Sequence, residues 1–221
     1  ARDGRAQQVS LPFDTDVAST DASPSDGAMG RDGRAYPAEM LPPTITSGGV
    51  EFRLGPTGDG QAQAVTCRGQ TIELPEGDWD QLHLLIAATD DASAPFRLGH
   101  ATTTINAQSW TGFIGQWDDR IWDREFPEVD FKGEGHVTAI APGFIKRAPV
   151  AWFATHRHAP EEGNEAYKFS YLFRHTIDRT NGATKIRLPH DERIRVFAIT
   201  VSASKDRNAS PAWPLYDTLE R

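Results

Sequence analysis

The sequence predicts an all-β fold, an antiparallel β-sandwich of the jelly-roll kind with long loops. Three observations carry this prediction. About ten short segments either alternate or run apolar, with turn signals between them every ~8–12 residues, the spacing of sandwich strands. The 221 residues include 19 Gly and 15 Pro, a density of chain punctuation that leaves little room for long helices. No helical heptad and no internal repeat is visible along the chain.

Taken in order, residues 1–49 are poor in hydrophobics and rich in Asp, Gly, Ser and Pro, and read as an ordered acidic segment packing on the sandwich. The sandwich is expected over 50–205. "VEFRLG" (50–55), "AVTCRGQTIEL" (64–74) and "QLHLLIAAT" (81–89) are strands, bounded by "GPTGDG" and "PEGDWD". In the third, Leu82, Leu84, Ile86 and Ala88 share one face by period 2. "FRLGH" and "TTTIN" (96–106) form a hairpin. Residues 115–143 lack clear periodicity and read as a long aromatic and acidic loop, a length that usually serves function. "APVAWFATH" (148–156) is a strand. In "YKFSYLFRHTID" (167–178), Tyr167, Phe169, Tyr171, Phe173 and Ile177 face one way. "TNGATKIRL" is a turn and a short strand. "RIRVFAITVSAS" (193–204) places Ile194, Val196 and Ala198 on one face and Phe197, Ile199 and Val201 on the other, as a central strand buried on both sides would. Residues 206–221 read as a tail or linker.

Charge narrows the function. Lys and Arg number 23 against 31 Asp and Glu, a net charge of −8 with no basic cluster, which argues against nucleic acid and anionic membranes as partners. No run of 18 apolar residues suggests a spanning helix. The lone Cys67 cannot form an internal disulfide and sits in a strand, so it reads as a buried, inert thiol. The chain begins at Ala1 without a recognisable leader, so a mature product or a processed piece of something longer is expected.

Three constellations carry chemistry. The stretch "WTGFIGQWDDRIW" (110–122) combines rings that can stack on sugar faces with groups that can reach hydroxyls. Trp110 and Phe113 are read as core anchors. Trp117, Asp118, Asp119, Arg120 and Trp122, with Trp152, His156, Arg157 and His158, are read as ligand-binding residues. In "THRH", His156 and His158 lie two apart and so share a strand face; such a pair can ligate zinc, but no third ligand follows at a motif-like spacing. The N-terminal acids, with Asp14, Asp16 and Asp21 foremost, suit structural calcium, although their spacing is not that of an EF-hand. No motif requires a cofactor. No nucleophile elbow, phosphate loop or dinucleotide fingerprint is present.

The order of the strong segments carries a resemblance. "VSLPFDTDVASTDASPSDGAMGRDGRAYPAEMLP", "GVEFRLGP", "CRGQTIELPEG", "WTGFIGQWDDRIW", "PGFIKRAPVAWFATHRH", "NEAYKFSYLFRHTID" and "LPHDERIRVFAITVS" resemble a β-rich C-terminal region of bacterial alpha-mannosidase-like proteins of glycoside hydrolase family 38. The opening segment also resembles a jelly-roll segment attached to other bacterial glycosidases. The similarity spans most of residues 9–203. It implies a β-sandwich accessory domain of a secreted or periplasmic carbohydrate-active protein. No catalytic residue of that family carries over, because its catalytic domain has no counterpart in this chain.

Three readings follow. The first is a non-catalytic carbohydrate-binding module whose partner is a glycan or polysaccharide. The second is a small jelly-roll glycosidase or lyase with Asp118 or Asp119 and His156 or His158 as acid and base. The third is a structural piece whose aromatic loop docks on a catalytic domain of the same parent protein.

Overall fold

A computed structural model describes residues 6–112, 116–123, 136–144 and 146–203, with only the backbone described for 116–120 and 141–144. The architecture is all-β, a sandwich of antiparallel sheets. The N-terminal segment supplies β1 (Gln7–Gln8), β2 (Ala18–Ser19), β3 (Tyr36–Pro37), a short 3-10 turn (Ala38–Met40), β4 (Thr44–Ser47) and β5 (Val50–Arg53). The body follows with β6 (Val65–Arg68), β7 (Thr71–Glu73), β8 (Gln81–Ala88), β9 (Ala92–Leu98), β10 (Ala101–Ala107) and β11 (Thr111–Gly112). Then come β12 (Gln116–Trp122), β13 (Val137–Phe144), β14 (Val150–Ala159), β15 (Gly163–Asp178), β16 (Lys185–Arg187) and β17 (His190–Ser202).

The larger sheet runs β1-β17-β8-β15-β11, with β14 also on β15 and β6 also on β17. The smaller runs β10-β9-β16-β7. Between them lies a first core that contains Leu82, Leu84, Ile86 and Ala88, the face expected of β8. Phe96, Leu98, Ile105 and Ile186 meet them from the smaller sheet. β9 and β10 form the expected hairpin, turning at Gly99, which takes a left-handed φ of 59°.

The opposite face of the larger sheet is also covered. Leu85, Ala87, Phe197 and Ala198 pack there against Val17, Met29, Tyr36, Ile45 and Phe52 from the N-terminal segment. Tyr36 is fully buried and organises this second core. Its ring lies 4.8 Å from Trp110, 5.4 Å from Phe197 and 6.2 Å from Trp152. Its hydroxyl donates to the Tyr171 carbonyl at 2.7 Å, which satisfies the one polar atom that burial would strand. Trp110 is buried, as a core anchor should be. Cys67 is buried too, and burial pushes its thiol up to about 12.

Three details differ from simple alternation. A bulge between Val196 and Ala198 on β17 leaves Phe197 without its own partner on β8, so the parity of the strand flips. Ile194, Val196, Ile199 and Val201 therefore share the first core, while Phe197 and Ala198 share the second. On β15 the register slips between Ala154 and His156 of its neighbour; Tyr167 takes φ 64° there and points to solvent instead of joining Tyr171 and Phe173. Finally, residues expected in an irregular loop include the antiparallel ribbon β12–β13, paired from Gln116↔Phe144 to Trp122↔Val137. A strand shows period-2 polarity only when one face is buried. Here Ile121, Trp122, Val137 and Ile140 are all exposed, so the signal was never written into the sequence.

Candidate functional site

The N-terminal segment meets the larger sheet at the end of β14, and chemistry-bearing side chains collect there. Ala35 and His158 exchange backbone hydrogen bonds of 3.1 and 3.0 Å, which sets the segment against the strand. Next to this bridge, Glu165 on β15 accepts from Arg34 Nε at 2.9 Å and from Arg157 Nε. The two guanidiniums hold its carboxyl down at about 2. Arg157, expected to face a ligand, is thus engaged in an internal ion pair and is largely buried. Trp152 is half-buried against Tyr36, so its ring belongs to the second core more than to a stacking surface.

His158 is 1 % exposed. Its Nδ1 lies 3.0 Å from Ser19 Oγ, and its Nε2 lies 3.3 Å from Asp21 Oδ1 but makes no hydrogen bond. The Asp21 backbone N–H donates to Glu39 at 2.6 Å, and Asn164 donates to Asp21 Oδ1 at 3.0 Å. His156 does share the face of His158, with ring centroids 5.7 Å apart. Burial, then the neighbouring His158, holds His156 below the usual histidine range.

Ser19, His158 and Asp21 have the membership of a catalytic triad. The burial pattern is the reverse of what catalysis needs. Ser19 is 1 % exposed, so its oxygen cannot meet a substrate, and the carboxylate is the exposed member. The calcium trio does not converge either. Asp14 pairs with Arg68 at 2.8 Å and accepts the Thr66 N–H at 2.9 Å. Asp16 accepts from Gln63 at 2.9 Å and from the Ala18 N–H at 3.3 Å. Both oxygens of Asp14 and Oδ1 of Asp16 are occupied in fastening the segment, and of the three only Asp21 joins a cluster among the described residues. The trio that does gather, among the described residues, is Asp21, Glu39 and His158.

A cavity of about 710 Å³ opens between the loop 28–32, the end of β8 and the start of β17. Arg31, Asp90, Trp110, Asp191, Arg193 and Arg195 are among its walls. Arg193 chelates Asp191 through Nε at 2.9 Å and Nη2 at 2.6 Å. Arg195 Nε is buried without a hydrogen-bond partner. Nothing local in the sequence marks Arg31 and Arg193 as neighbours, so the cavity arginines carry no sequence signal.

Of the aromatic stretch, Trp122 is 37 % exposed at the end of β12. The side chains of Trp117, Asp118, Asp119 and Arg120 lie outside the described atoms, although their backbone pairs in register with Gly143, Pro142, Ala141 and Ile140. Phe113 and the tail 206–221 lie outside the described residues.

The AziU2-like beta-sandwich domain matches residues 5–205, a span that contains every described residue. The chain belongs to this AziU2-like family. No curated protein matches it. Membership agrees with the β-sandwich part of the resemblance drawn from the sequence. It does not extend to the expected attachment to a family 38 mannosidase.

Proposed function

We propose that this AziU2-like sandwich is a non-catalytic recognition module for a glycan, within a secreted or periplasmic carbohydrate-active protein. The observation that carries the reading is the cavity of about 710 Å³, whose size suits a small ligand and whose walls bring cations and carboxylates together beside the largely buried Trp110. Opposite charges in near balance suit a neutral, hydroxyl-rich molecule, which offers both donors and acceptors.

Calorimetry against a glycan panel tests this. Arg31→Ala with Arg193→Ala is expected to weaken binding about ten-fold or more, because hydrogen bonds to charged groups are the strong ones. Trp122→Ala is expected to leave affinity unchanged. Loss of binding in Trp122→Ala alone would move the site to the ribbon, and absence of any glycan ligand would remove the reading.

A second reading has its own observation. The exposed ribbon residues Ile121, Val137 and Ile140 are aliphatic, which suits a protein surface better than a sugar ring. If the ribbon docks a protein, the isolated chain self-associates at high concentration. Ile121→Ser with Ile140→Ser then shifts sedimentation velocity profiles toward monomer; identical profiles for variant and parent would count against it.

A further inference from the structure

We infer that His158, Asp21 and Glu39 form a binding site for one divalent transition-metal ion, of which zinc fits best. The donor atoms of the three side chains all lie within 4.8 Å of one another. Two ligands bonded to one zinc at about 2.0–2.2 Å are at most about 4.4 Å apart, so a small rotation of the exposed carboxylates closes the site.

The buried member gives the stronger argument. His158 is 1 % exposed, and its Nε2 is buried without a hydrogen-bond partner while it faces the Asp21 carboxylate. A polar atom left so is uncommon. Metal binding calls for the tautomer in which Nδ1–H donates to Ser19 Oγ, 3.0 Å away, which turns the lone pair on Nε2 toward the Asp21 carboxylate. In that tautomer the lone pair and the carboxylates repel each other until a cation stands between them, and the ion then satisfies all three. The supporting contacts place each ligand in advance: Ser19 orients the imidazole, Asn164 holds Asp21, and the Asp21 N–H holds Glu39.

The donor set selects the metal. One imidazole nitrogen with two carboxylates is a zinc-type set, whereas calcium takes oxygen alone. Three protein ligands leave a fourth position for water, on the side where Asp21 and Glu39 meet solvent. The ion would tie the turn after β2 and the 3-10 turn to β14, across a chain separation of 139 residues between Ser19 and His158. Each ligand comes from a different part of the chain, which is why no third ligand stood at a motif-like spacing from the His156–His158 pair.

The test uses the full chain, stripped with a chelator and titrated with zinc, cobalt(II) and calcium. One equivalent of zinc is expected to bind, cobalt to give the visible absorption of a tetrahedral centre, and zinc to raise the melting temperature. Asp21→Asn with Glu39→Gln changes only exposed side chains, so it should keep the native circular dichroism and lose at least about ten-fold in zinc affinity. His158→Gln should abolish the cobalt spectrum; if it does not fold, the double variant still decides. The proposal is overturned if zinc does not bind at one equivalent, if the double variant binds like the parent, or if calcium binds in preference to zinc.

Discussion

Tyr36→Ala is expected to lower the unfolding free energy by about 3–5 kcal/mol, the range for a fully buried aromatic truncated to alanine. The ring is enclosed by Trp110, Trp152 and Phe197, so its loss leaves a cavity that rigid neighbours cannot fill. Tyr36→Phe separates packing from hydrogen bonding. It keeps the ring but removes the hydrogen bond from the hydroxyl to the Tyr171 carbonyl, at a cost of about 1–2 kcal/mol. Denaturant titration of the two variants should place them in that order. Equal losses would mean that the hydroxyl, and not the ring, holds the N-terminal segment on the sheet. The alanine variant should also expose residues 14–40 to limited proteolysis, because Tyr36 joins that segment to the second core.

Acid is expected to weaken the fold chiefly through two histidines, with His156 acting in the same direction. His83 is buried between Thr176 and Ser202, each 2.9 Å from a ring nitrogen, and burial with Arg174 nearby pulls it down to about 4. Burial alone pulls His175 down to about 4 as well. The ordinary value for both is 6.5. Between these limits the unfolded chain binds protons that the folded chain does not, so stability falls as pH drops from 6.5 toward 4 and is complete above 6.5. Each histidine accounts for about 2 kcal/mol by about pH 5. Glu165 adds nothing in that window, since its stabilisation is lost only as pH falls from 4.5 toward 2. Urea titrations at about pH 7.5 and about pH 5 measure the loss. His83→Gln should remove roughly half of it; an unchanged pH dependence would clear His83 of this role.

How legible these features were depends on how far apart their residues lie. Strand β8 could be read because Leu82, Leu84, Ile86 and Ala88 record one buried face within a few residues. Strand β17 could be read as central because it is apolar on both sides, but its faces could not be assigned. The bulge at Phe197 depends on pairing with β8, which leaves no mark in β17 alone. The ribbon β12–β13 was hidden because its described side chains, Ile121, Trp122, Val137 and Ile140 among them, are exposed on both faces. The site is the extreme case. Arg34 meets Glu165 across 131 residues and Ser19 meets His158 across 139, and no pattern in either segment announces the other.

The sandwich class, the order of its main strands and the core placement of Trp110 and Cys67 were all set by local alternation and turn chemistry, which act over a few residues. Which carboxylates face a buried histidine, and which arginines share a cavity, was decided by the fold. Side chains from β2, the 3-10 turn and β14 become neighbours, as do those of the loop 28–32 and β17, only after two cores have been packed on opposite faces of one sheet. That packing is cooperative over the whole chain, and so its chemical consequences appear only in three dimensions.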